Sequence, residues 1–151
     1  MTQITNDSDF RKAIDSMDFN KQRVLAGLFV KNVLGLCDDE RIPRVIDVAT
    51  NASASDDELA SALKTARAAT IDCHTRCGSE GDWDAQAGYF VARAATAAVT
   101  PESQSKGGGP AWQAAMSSRM ARTSKQIDAE DVSTTDENEQ QYKILSDYLN
   151  S

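Results

Sequence analysis

The sequence predicts an all-α fold: a helical bundle of six to seven helices around a central antiparallel alanine-rich hairpin. Three observations lead there. Two alanine-rich segments between Ser55 and Thr100 repeat small and apolar residues at spacings of three and four, the period of one helix face. Only three prolines interrupt the chain, at Pro43, Pro101 and Pro110. No run alternates β-branched with polar residues, and no Asn-Gly or Asp-Gly pair marks a hairpin turn. The 151 residues read as a single domain, with a flexible loop near 100–110 and an acidic linker near 128–139.

Asp7 or Ser8 is placed to cap a short first helix over Phe10 to Met17. Asp18 restarts the pattern. From Phe19 to Cys37, Leu25, Phe29, Val33 and Leu36 form a stripe that Val24, Leu28, Val30 and Leu34 widen, as expected of a helix central to its domain. After Asp38-Asp39-Glu40, Pro43 suits the first turn of a new helix, where its missing N–H costs nothing. Val45, Ile46, Val48 and Ala49 give that helix its buried side.

Ser55 and Glu58 make a capping-box signature for the first hairpin arm. Its seam runs through Leu59, Leu63, Ala66, Thr70, Cys73 and Cys77, and Gly78 is expected to end it. The second arm starts at Asp82, with Trp83, Ala87, Phe90, Ala94 and Ala97 as its seam. Gln86, Tyr89, Arg93, Thr96 and Thr100 follow one another along its other side. Pro101 stops this arm, and Lys106-Gly107-Gly108-Gly109 reads as a flexible connection rather than a phosphate loop, since no Gly-Lys-Ser/Thr ending is present. Pro110 opens the next helix, with Trp112, Met116, Met120, Thr123 and Ile127 on one face. A last helix from Gln140 to Leu149 is expected to dock through Tyr142, Leu145 and Leu149.

The net charge of −7 disfavours nonspecific binding to nucleic acid or to an anionic membrane, since both repel an acidic surface. The N-terminus lacks the basic and apolar regions of a signal peptide, and no apolar run approaches the roughly 20 residues that span a bilayer. The expected compartment is the cytoplasm. Three cysteines are an odd count, so structural disulfides are not expected.

Cys37, Cys73, His74 and Cys77 are the residues with soft-metal chemistry. Cys73 and Cys77 are one helical turn apart and fall on the packing seam, whereas His74 points about 100° away. The expectation is therefore core packing, with no metal site and no cofactor. His74 is the only histidine, and no Gly-x-Ser-x-Gly or other nucleophile motif accompanies it, so no catalytic residue is assigned. Arg67, Arg76, Arg93, Arg119 and Arg122 sit among alanines and are read as solvated, with their stems covering apolar surface; convergence of several would instead mark a polar groove.

The segment from Val91 to Thr100, with Gly109-Pro110-Ala111-Trp112-Gln113-Ala114-Ala115 downstream and Ala66-Arg67-Ala68-Ala69 upstream, resembles the alanine-rich core of the Imm-5-like immunity proteins. The resemblance covers roughly Leu59 to Arg122. It implies a small all-helical bacterial protein that neutralises a cognate toxin. Where that family tends to carry histidine after this segment, Pro101 and Glu102 stand here. Arg93 is the one functional residue the resemblance carries over.

The expected function is a non-enzymatic binding protein, with Gln86, Tyr89 and Arg93 as its binding residues. Its partner would be a protein, such as a basic toxin steered by the acidic surface. A metal-binding protein or small helical enzyme using the Cys/His cluster, and a self-associating helical module, are the alternatives.

Overall fold

A computed structural model describes residues 3–80, 83–105, 107–128 and 136–151, with side chains for these except 77–80, 83, 84 and 128. Among the described residues the fold is all-helical. The helices are α1 (Asp7–Asp15), α2 (Phe19–Lys31), α3 (Arg41–Ala49), α4 (Asp56–Glu80), α5 (Trp83–Val99), α6 (Gly109–Asp128) and α7 (Glu137–Leu149), with 3₁₀ turns at Leu34–Leu36 and Glu102–Gln104.

The local starts follow capping chemistry. Asn6, not Asp7 or Ser8, caps α1 by accepting from the Asp9 N–H. Asp18 caps α2 in the same way through the Lys21 N–H. The Ser55–Glu58 capping box closes in both directions at 3.1 Å. Pro43 lies in the first turn of α3, as expected.

Some boundaries move. α4 passes through Gly78 and continues to Glu80. The tip at Gly81-Asp82 lies outside the described residues. α7 begins at Glu137, three residues before Gln140, because Asp136 caps it through the Asn138 N–H. The rest of the expected acidic linker, residues 129–135, and Lys106 of the glycine run lie outside the described residues. Gly108 and Gly109 take positive φ, which swings the chain into α6. A Cβ on Gly108 would strike the Trp112 ring.

α4 and α5 form the antiparallel hairpin, as the paired contacts Thr70–Thr96 and His74–Tyr89 require. The centre of the molecule, however, is α5. It packs most extensively on α6, then on α4, and also touches α2 and α3. The face α6 turns inward is Ala111, Ala114, Ala115, Ser118 and Ala121, all fully buried. The expected stripe of large residues divides: Trp112 and Met116 pack against the smaller core, whereas Met120 and Ile127 are about half exposed. Small side chains win this position because they let two helix backbones close on each other. α7 likewise buries Gln141 and Leu145 fully, while Leu149 stays exposed.

Two core clusters result. The larger joins α3, α4 and α5 through residues such as Ile42, Leu63, Ala66, Cys73, Phe90 and Val91. The smaller is aromatic, with Phe10 against Phe29, Trp112 and Tyr142 at ring distances of 5.6, 6.2 and 5.5 Å. α2 and α6 contribute to both and form the wall between them.

Candidate functional site

The expected binding residues follow one another along α5 and differ in exposure. Tyr89 is half-buried and packs on His74 and Phe90, at ring distances of 5.3 and 5.2 Å. Gln86 is half-buried near the start of α5. Arg93 is exposed and lines a pocket of about 250 Å³ with Arg67, Thr96, Gln104, Gln113 and Ser117.

The arginines sort themselves by partner, which corrects the expectation that all are simply solvated. Arg119 forms a two-pronged bond to Asp7, at 2.9 and 3.1 Å, and a third bond to Gln141. Arg122 pairs with the buried carboxylate of Glu137 at 3.2 Å. Arg76 donates to the Cys73 sulfur at 3.3 Å and approaches Asp38 at 3.9 Å. Arg67 bonds only the Gln104 amide oxygen, at 3.0 Å, and Arg93 has no hydrogen bond or ion pair among the described residues. Of these five arginines, the two without a carboxylate partner among the described residues thus border the same pocket.

That pocket adjoins a larger cleft of about 680 Å³, which shares Arg67, Thr100 and Gln104 with it. Phe19, Leu59, Leu63, Val99 and Pro101 give the cleft an apolar lining, drawn from α2, α4 and the end of α5. Its size falls in the range of sites that enclose a ligand or a few side chains. Arg23 supports the floor. Buried at 4% exposure, it bonds the carbonyls of Ala49 and Asn51 at 3.3 and 2.8 Å and so fixes the end of α3. None of the apolar lining was singled out as a site from the sequence. Phe19, Leu59 and Val99 are far apart in the chain, and no local pattern marks residues that meet only after folding.

The Cys/His group separates. His74 turns to Tyr89. The Cys77 side chain lies outside the described residues. Cys73 is buried in the larger core at 1% exposure, on the predicted seam, and Cys37 packs against that core from the segment after α2. Their thiols interact. That interaction, with the Arg76 guanidinium adding to it against the cost of burial, pulls the Cys73 thiol down to about 6. The same interaction and burial push Cys37 up. Among the described residues no group of three or more His, Cys, Asp or Glu side chains is arranged to hold a metal ion, and a cation at Cys73 would meet the Arg76 charge.

Fold and cleft together give an all-α bundle with a cleft whose apolar lining is bordered by Asp56, Lys64, Glu102 and Arg67, with Arg93 in the adjoining pocket. Comparison with models of protein families, with curated proteins and with solved structures gives no match. No helix among the described residues is long and apolar enough to cross a membrane.

Proposed function

We propose that this chain is a non-enzymatic binding protein and that the cleft between α2, α4 and the end of α5 is its binding face. The observation that carries this reading is the pairing of an apolar cleft with Arg67 and Arg93, two guanidiniums without carboxylate partners in a chain of net charge −7. The ligand class that fits is a peptide segment of a protein partner, with a leucine or aromatic side chain for the cleft and a carboxylate for the arginines. The overall charge adds long-range attraction for a partner that is basic as a whole. The toxin-neutralising role implied by the family resemblance is the case in which that segment belongs to a toxin.

An array of short peptides tests the reading on the full chain. Peptides that place a carboxylate next to a leucine or aromatic residue are expected to bind. Affinity should fall about tenfold or more on Arg67→Ala/Arg93→Ala and on replacing the carboxylate with its amide. Equal binding of acid and amide forms, equal binding to both proteins, or no bound peptide would overturn it.

A further inference from the structure

The segment that follows α2 is fastened to α4 at three places. Cys37 packs against the core cluster that holds Cys73, and the two thiols interact; Arg41, where the segment enters α3, bonds Asp72 at 2.9 Å; and Arg76, bonded to the Cys73 sulfur, approaches Asp38 at 3.9 Å. Arg41 also folds back on Asp39 at 2.7 Å, which stiffens the turn carrying Cys37. The Cys37 sulfur rests over Gly88 of α5, where a glycine leaves room: even an added Cβ would stand 3.8 Å from it. The turn carrying Cys37 is thus pinned beside Cys73 by charge pairs on either side, and a guanidinium is bonded to the Cys73 sulfur.

We propose that Cys37 and Cys73 form a peroxide-oxidisable dithiol, with Cys73 the attacking sulfur and Cys37 the resolving one. The Arg76 guanidinium favours the thiolate at Cys73, the form that reacts. Arg76 is half exposed and lies on the sulfur, so displacement of one side chain opens Cys73 to a molecule as small as hydrogen peroxide. The Cys73 thiolate attacks one peroxide oxygen, the O–O bond breaks and hydroxide leaves, giving a sulfenic acid. The Cys37 sulfur then attacks the oxidised sulfur and gives up its proton; the S–O bond breaks, and water leaves as the disulfide forms. Two thiol sulfurs are oxidised, and one peroxide is reduced to water. Such a disulfide closes a loop from 37 to 73 and restrains the unfolded chain. The site is separate from the arginine cleft and does not depend on its function.

Full-length, fully reduced protein treated with graded hydrogen peroxide tests this, with alkylation and peptide mass mapping as the readout. The expected product has lost two hydrogens, links the Cys37 and Cys73 peptides, and melts several degrees higher. Cys77→Ser should leave the product unchanged. Cys37→Ser should stop at a Cys73 sulfenic acid that dimedone traps, and Arg76→Ala should slow thiol loss several-fold while keeping the helical circular dichroism. A disulfide through Cys77, faster oxidation at Cys37 than at Cys73, or no linked peptide from protein that remains folded would overturn the proposal.

Discussion

Glu137 carries its carboxylate into the interior at 3% side-chain exposure and depends on the groups that meet it there. Burial raises its carboxyl above the ordinary value, while Asn32 at 2.9 Å and Arg122 at 3.2 Å act in the opposite direction. With the folded value above the unfolded one, proton uptake favours the folded state, and this group's contribution weakens as pH rises through that value. Arg122→Met removes the counter-charge. The expected cost is about 3 kcal/mol at pH 7. The deficit should shrink as the pH is lowered toward 5, because a protonated carboxyl needs no partner charge. Urea unfolding at the two pH values measures both, and a deficit unchanged by pH would show that Glu137 is not the group responsible. Nothing local in the sequence marks this arrangement. Glu137 sits in an acidic run that reads as a linker, and Asn32 comes from the distant end of α2.

At the level of the element, α6 shows how a pattern of hydrophobicity finds only part of the buried side of a helix. Met120 and Ile127 outrank alanine and serine on any transfer scale, yet they stay half exposed while the alanine and serine side is buried. What decides is how near the backbones come, and size governs that more than polarity does. Ser118 tests the point. Its hydroxyl is fully buried and has no hydrogen-bond partner among the described residues. Ser118→Ala keeps the size and removes the unpaired group, so it should stabilise the fold by about 1 kcal/mol. Ser118→Leu forces the helices apart and should cost about 1–3 kcal/mol. Thermal unfolding of the two variants reads both signs. A destabilised Ser118→Ala would mean that the hydroxyl is satisfied after all. Helix starts, by contrast, were legible at Asp18, Pro43 and Ser55, because a cap is made within a few residues of itself.

For the whole molecule, the helical class and the α4–α5 hairpin could be read from spacing alone, since helix period is a local property. The division into two cores and the cleft were not legible. Leu25 and Phe29 go to the aromatic core while Ala26 and Val30 on the same helix go to the other, and nothing local separates them. The alanine-lined contacts around α5 have a further consequence, in heat capacity. Nearly half of the buried apolar residues described are alanine, which exposes little apolar surface when the chain unfolds. The heat-capacity change of unfolding should therefore fall below the usual value of about 12–15 cal/mol/K per residue. A small change flattens the dependence of stability on temperature, so this bundle should lose stability gradually on warming and resist cold as well as heat. Differential scanning calorimetry decides it, and a value at or above that range would contradict the account of a core built on methyl groups.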